Sequence, residues 1–207
     1  DYFQSMASVV VAMGRYDEAN DNIDNALQID PLSPINFHLK GFIHYVKAEY
    51  EEALEWFGKS VRSGTEFKVS TLYYGQTLLL LGRFDECHSY FEGFPEDEPG
   101  NPMKLGGTAL ALAALGEEER AEVKIRELES QLETGSSERV INLLILIRAV
   151  LGQHEALYNL IEKGAESRLP LMVYLGVEPI LRPFHKEPRF LGLIEKILGN
   201  QSPFRDT

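Results

Sequence analysis

The sequence predicts an all-α protein built from a helical unit that recurs along the chain. A glycine-aromatic-acid-acid-alanine signature, "GRYDEA" at 14–19, returns as "AEYEEA" at 48–53, "GRFDEC" at 82–87 and "GEEERA" at 116–121. The four copies end at positions 19, 53, 87 and 121, three equal intervals of 34 residues. Such a fixed interval is typical of stacked helix-turn-helix units. A looser copy, "GQHEAL" at 152–157, ends 36 residues later, as if two residues were inserted in the loop "ETGSS".

Each signature predicts the turn between two helices and the start of the second helix. The glycine ends the first helix, because positive φ is easiest for glycine, and Ala48 replaces it in the second copy. The small residue that closes the signature, such as Ala53, leaves room for two helices to cross closely. Cys87 holds this position in the third copy. We therefore expect Cys87 to be a buried structural thiol rather than a nucleophile paired with His88.

Prolines mark where the helices begin and end. Helices are expected to end at Asp-Pro, residues 30–31, and near Pro99, and to begin at Ser-Pro, 33–34, and Asn-Pro, 101–102. Pro95 should shorten the second helix of the third copy. After residue 168 the period stops, and four closely spaced prolines predict short helical pieces followed by one helix from about Glu187 to Leu198.

These features resemble the tetratricopeptide repeat (TPR) family, whose unit is a helix-turn-helix of 34 residues. The first copy supplies the family's pattern of aromatic, small and proline positions with Phe3, Met6, Ala7, Ala19, Ile23, Ala26 and Pro31. The resemblance implies a right-handed superhelix of stacked helix pairs. It covers four clear repeats and one degenerate repeat over residues 1–166, and residues 167–207 are expected to form a proline-broken helical cap. The stretch "PFHKEPRF" also resembles, more weakly, the end of TPR arrays in bacterial multidomain signalling proteins.

Composition and motifs argue against several functions. The net charge of -12 disfavours binding to a phosphate backbone, and the longest apolar stretches are too short to span a bilayer. The five histidines lack metal-ligand spacing, and no glycine-rich phosphate loop or nucleophile motif occurs. We therefore expect no nucleic-acid partner, no membrane span, no cofactor or metal, and no enzymatic activity.

The TPR resemblance implies a binding surface on the concave face of the superhelix, formed by the first helix of each repeat. We name this surface the concave strip; its expected residues are His38, Phe42, Tyr45, Leu72, Gln76, Leu79, Leu110, Asn142 and Leu146. Most of them are apolar, and the first four repeats have no basic residue at these positions. A clamp for the acidic tails of chaperones is therefore disfavoured.

An apolar strip needs a cover, and three occupants are possible. The final helix, 187–198, could fold over the strip, a partner's peptide or helix could bind it, or a second copy could form a dimer. The sequence thus predicts a protein-interaction or regulatory module, a fragment of a larger bacterial signalling protein, in the cytoplasm. The alternative is a secretion or envelope-assembly adaptor, and with it a periplasmic location, since the chain starts within a helical pattern and upstream sequence is expected.

Overall fold

The computed structural model describes residues 2–63, 69–94, 101–133 and 138–204. The regular elements in these ranges are all helical, as the sequence predicts. The expected breaks at Pro95 and Pro99, and the inserted residues of the loop "ETGSS", lie outside the described residues.

The first ten α-helices form five consecutive pairs, and the most extensive contact of each helix is with a neighbour in the chain. In order they are α1 (Tyr2–Ala12), α2 (Tyr16–Ile29), α3 (Pro34–Val46), α4 (Tyr50–Arg62), α5 (Val69–Leu80), α6 (Phe84–Glu92), α7 (Pro102–Ala114), α8 (Glu118–Glu133), α9 (Glu138–Val150) and α10 (His154–Glu166). Helix α3 begins at Pro34 after Ser33. Helix α7 begins at Pro102, and the Asn101 side chain caps it by accepting the Met103 N–H at 3.0 Å.

The small residues of the signature lie where paired helices cross. Ala19, Ala53, Cys87 and Ala121 are all fully buried. The residue four positions further along each second helix, such as Phe57 or Ile125, is fully buried as well, because residues i and i+4 share one helix face. The expected role of Cys87 is confirmed: burial raises the pKa of its thiol to about 12, and the thiol donates to the Gly75 carbonyl at 3.2 Å.

The turn inside each pair has one residue in the left-handed region. Glycines occupy this position in four pairs, with φ between 66° and 76°, and Ala48 occupies it in the second pair with φ 65°. Left-handed backbone brings an alanine Cβ close to the following carbonyl oxygen and costs about 1–2 kcal/mol.

We therefore expect Ala48→Gly to raise the free energy of unfolding by about 1 kcal/mol. The gain is smaller than the full strain energy, because a glycine has more conformational entropy in the unfolded chain than an alanine. Gly82→Ala is the matched reverse change, because its φ is 72° and a Cβ there meets no atom within 4 Å. It should destabilise by a similar amount. Urea denaturation measures both, and a neutral or destabilising Ala48→Gly would contradict the strain argument.

The chain changes geometry after α10. Two 3-10 helices, Pro170–Tyr174 and Pro179–Phe184, are followed by the last α-helix, α11 (Pro188–Leu198), and a short 3-10 turn, Gly199–Gln201. The predicted final helix is therefore confirmed. Residues 170–184, which we name the bridge segment, run from the last repeat back to the first repeats. Helix α11 packs on α10 and on the first 3-10 helix.

The core has two parts. The larger part extends from α5 to α11, and the smaller part joins α1–α4 with Tyr73 of α5 and Val177 of the bridge segment. The bridge segment therefore contributes to the core of the first repeats although it is far from them in sequence. No helix among the described residues is long and apolar enough to span a membrane.

Candidate peptide groove

The structure buries most of the residues expected on the concave strip. Only Asn142 is half-buried; the buried ones are His38, Phe42, Tyr45, Leu72, Gln76, Leu79, Leu110 and Leu146. Phe42 and Tyr45 belong to the core of the first repeats, whereas Leu72 and Leu79 belong to the larger core. The strip is therefore divided between the two cores.

Aromatic rings fill the space between the second and third repeats. The ring of Tyr73 lies 5.2 Å from that of Phe42, 5.4 Å from that of Tyr45 and 5.5 Å from that of His38. Tyr73 was not among the residues expected on the strip, although it is the neighbour of Leu72 in the sequence. Its ring, rather than a leucine side chain, joins α5 to the aromatic residues of α3.

The bridge segment covers the middle of the concave face. The Tyr174 ring packs edge-on against Phe42 at 5.5 Å, and its hydroxyl donates to the Ser8 carbonyl of α1 at 3.4 Å. Arg182 donates to the Val46 carbonyl at 2.6 Å, at the carboxyl end of α3 where a positive charge is favourable. The expected cover in cis is thus present, but the bridge segment supplies these contacts, and the final helix 187–198 lies against α10.

Glu178, the one acidic residue of the bridge segment, is buried, with 5% of its surface exposed. Its carboxylate accepts from the Tyr45 hydroxyl at 2.6 Å and from the Ile180 N–H at 3.1 Å. Burial raises its pKa to about 7, although these two hydrogen bonds and the charge of Arg182 favour the ionised form. Desolvation therefore outweighs the local hydrogen bonds.

Two adjoining pockets remain open beside the bridge segment. The first pocket has a volume of about 320 Å³ and lies among α1, α3, α5 and the first 3-10 helix. The second pocket has a volume of about 410 Å³ and lies among α5, α7, α9 and the same 3-10 helix. Val69, Tyr73 and Leu171 line both pockets and form the ridge between them. Together the two pockets form what we name the open groove.

The open groove contains four of the nine residues expected on the concave strip. His38 and Phe42 line the first pocket, and Leu72 and Asn142 line the second. The other five, which line neither pocket, are Tyr45, Gln76, Leu79, Leu110 and Leu146. The open part of the concave face is therefore set toward the amino-terminal halves of the first helices, because the bridge segment fills the remainder.

The charges of the groove are concentrated in the second pocket, where Glu138 and Arg139 lie beside Asn142. Among the residues that the structure describes, no Asp, Glu, Lys or Arg lines the first pocket. His38 lines it, but burial lowers the pKa of its imidazole to about 3, and Nδ1 lies 3.1 Å from the Ser70 hydroxyl. His38 is therefore uncharged at neutral pH.

Treatment with EDTA is expected to leave the melting temperature unchanged. Among the residues that the structure describes, no three or more His, Cys, Asp or Glu side chains are grouped to hold a metal ion. Differential scanning fluorimetry with and without the chelator tests this, with added Zn²⁺ as the control for restored binding. Unfolding by EDTA that Zn²⁺ reverses would contradict it.

The sequence matches no protein-family profile. No curated protein matches it either. The structure, in contrast, is similar to solved TPR proteins. YrrB, described as a TPR protein with an unusual peptide-binding site, superposes with a TM-score of 0.50 and 19% identity over 84% of this chain and 88% of YrrB. PilW, described as a widely conserved type IV pilus biogenesis factor, superposes with a TM-score of 0.56 and 17% identity over 96% of this chain and 92% of PilW.

This chain has the TPR fold. The predicted fold class is confirmed: an all-α, right-handed superhelix of stacked helix pairs with a helical end that does not follow the repeat. At these identities the similarity concerns the fold.

Proposed function

We propose that this TPR chain binds a linear peptide segment of a partner protein in the open groove. The observation that carries the proposal is the pair of adjoining pockets on the concave face, of about 320 and 410 Å³, which lie on the two sides of the ridge that includes Tyr73. Large apolar and aromatic groups line both pockets, and the charged groups among the described residues, Glu138 and Arg139, lie in the second pocket. Such a surface is typical of a recognition site rather than of bare helix packing.

The fold supports a peptide as the ligand, since YrrB is described as having a peptide-binding site within the same architecture. The interaction role requires no catalytic group and no cofactor. Within the strip predicted from the sequence, we assign direct contact with the peptide to His38, Phe42, Leu72 and Asn142. The buried members hold the helices and the bridge segment in place, so their truncation would act through stability.

A pair of isoleucines provides the test. Ile35 is 41% exposed and lines the first pocket, whereas Ile29 is 67% exposed and lines neither pocket of the groove. A library of random linear peptides is selected on the wild-type protein, and the affinity of a synthetic selected peptide is measured by fluorescence polarisation. Ile35→Asp should weaken binding about tenfold or more, and Ile29→Asp should not.

Both substitutions are at exposed positions, so each should change stability by no more than about 0.5 kcal/mol, which circular dichroism melting verifies. Two results would refute the proposal. One is a library from which no peptide is enriched, and the other is a selected peptide whose affinity is equal for the Ile35→Asp and Ile29→Asp proteins.

We also propose a cellular process in which this chain acts. The stretch "PFHKEPRF" supports a regulatory role within a larger bacterial signalling protein acting in the cytoplasm. The alternative, a secretion or envelope-assembly adaptor, is supported by the fold shared with PilW, itself described as a pilus biogenesis factor. Reading the gene upstream of this sequence separates them: an output domain such as a cyclase or kinase favours signalling, and a signal peptide favours the adaptor.

A further inference from the structure

We propose that the bridge segment is the second wall of the peptide site, and that Leu171 and Tyr174 make the first pocket selective for an uncharged aromatic or large aliphatic side chain. The inference rests on the proposed function, because it concerns which peptide the open groove accepts. It assigns specificity to residues outside the repeats, whereas the expected binding surface lay only on the first helices of the repeats.

The bridge segment is fixed at both sides of the groove. At the last repeat, the Leu171 N–H donates to the carboxylate of Glu138 at the start of α9. At the first repeats, Tyr174 packs on Phe42 and reaches the Ser8 carbonyl. These contacts join residues 33 and 166 positions apart in sequence. The first 3-10 helix therefore spans the concave face as a wall held at each end.

The two residues facing the ligand differ in what they contact. Leu171 is half-buried and lines both pockets, so it stands at the ridge over which a bound peptide must pass. Tyr174 is also half-buried and lines the first pocket only. A peptide side chain in the first pocket would thus touch repeat helices on one side and the bridge segment on the other.

Four polar side chains of the first pocket already have partners within the chain. The Gln4 amide donates to Asn36 at 2.8 Å, and the Ser8 hydroxyl donates to the Gln4 carbonyl at 2.9 Å. His38 lies against the Ser70 hydroxyl, and the Tyr174 hydroxyl donates to the Ser8 carbonyl. A polar group entering this pocket would compete for hydrogen bonds that are already made.

A charged side chain in the first pocket would also lose its hydration without gaining a counterion from the described residues, because none of those that line the pocket is Asp, Glu, Lys or Arg. An apolar side chain has no charge whose hydration would be lost, and it gains contact with Ile35, Leu39 and Phe42. The chemistry thus favours an uncharged, apolar anchor. The second pocket, with Glu138, Arg139 and Asn142, can instead accept polar groups of the same peptide.

The test uses the whole chain and peptides selected from the random library. The selected sequences should share one aromatic or large aliphatic position, and changing that position to Asp or Lys should weaken binding about tenfold or more. Leu171→Ala and Tyr174→Ala should weaken the same peptide or shift the selection toward bulkier anchors. Val173→Ala is the matched control, since Val173 is half-buried in the same 3-10 helix and lines neither pocket.

A second measurement avoids variants that loosen the bridge segment. A selected peptide that carries benzophenone at the anchor position should crosslink to the bridge segment, 170–184, in the wild-type protein, as mass spectrometry would identify. Crosslinks confined to the repeat helices, together with unchanged affinity in Leu171→Ala and Tyr174→Ala, would overturn the inference. Loss of binding in Ile35→Asp would at the same time leave the proposed function standing.

Two other results would contradict the inference that an apolar side chain of a bound peptide occupies the first pocket. Selected peptides with a conserved charged residue at the crosslinked position would overturn the selectivity argued from the pocket. A dimer in analytical ultracentrifugation that dissociates in the Ile35→Asp protein would identify a second copy as the occupant. Failure of the library to yield any peptide would refute the proposed function itself, and with it the inference.

Discussion

Replacing Gly107 with alanine is expected to destabilise the protein by about 2 kcal/mol, even though alanine is the better helix former by about 1 kcal/mol. A Cβ at Gly107 would lie 2.1 Å from Cδ1 and 2.3 Å from Cγ of Phe91. Phe91 cannot withdraw, because a Cβ built at Gly75 on its other side would lie only 2.2 Å from Cζ. The ring is fully buried between Gly75 of α5 and Gly107 of α7, so the substitution overpacks the core.

Two further variants make this test specific to packing. Gly192→Ala in α11 adds a methyl group that meets no atom within 4 Å, so it should stabilise the protein by up to about 1 kcal/mol. In a Phe91→Leu background the smaller side chain should reduce the cost of Gly107→Ala, and a double-mutant cycle from urea denaturation measures that coupling. Equal effects of Gly107→Ala in the two backgrounds would show that Phe91 is not the cause.

The packing inside each repeat was predictable because it is periodic. The sequence identified the buried small positions Ala53 and Cys87, and these positions recur every 34 residues. Gly107 was not predicted as a packing residue, because it contacts the side chain of the preceding repeat. At the corresponding position one repeat earlier stands Tyr73, whose ring stacks on Phe57 at 5.6 Å. Contacts between repeats thus vary while those within a repeat are kept.

The candidate site was predictable only in part, for a related reason. The helix faces that line the concave side followed from the repeat, and they include Phe42 and Asn142. What lies across them did not, because the bridge segment has no period, and its contacts depend on where a proline-broken chain turns. An apolar final helix was the evident cover in sequence, yet Glu178 and Tyr174 are the residues that reach Tyr45 and Phe42. Long-range contacts of this kind have no local signal.

The second large effect is expected from Glu178, as a loss of stability when the pH rises. Its pKa of about 7 in the folded protein lies above its ordinary value of 4.5, so the folded state holds the proton more tightly than the unfolded chain. Below pH 4.5 the Glu178 carboxyl is protonated in both the folded and the unfolded state, and its full contribution to the free energy of unfolding is present. Between pH 4.5 and 7 only the unfolded chain ionises, and the contribution is progressively lost. Above pH 7 the loss levels off at about 3 kcal/mol.

Glu178→Gln isolates this effect, because the amide oxygen can still accept from Tyr45 and Ile180 but cannot ionise. The stability of the variant relative to wild type should therefore rise between pH 5 and 8 and then level off, as urea denaturation across that range would measure. The histidines of depressed pKa, His38 at about 3 and His185 at about 4, destabilise the folded state as the pH falls below 6.5, and this contribution cancels in the difference. Tyr45→Phe removes a hydrogen bond that favours the carboxylate, so it should extend the loss of stability to higher pH. A difference between Glu178→Gln and wild type that stays constant from pH 5 to 8 would mean that the Glu178 carboxyl is hydrated rather than enclosed by the concave face.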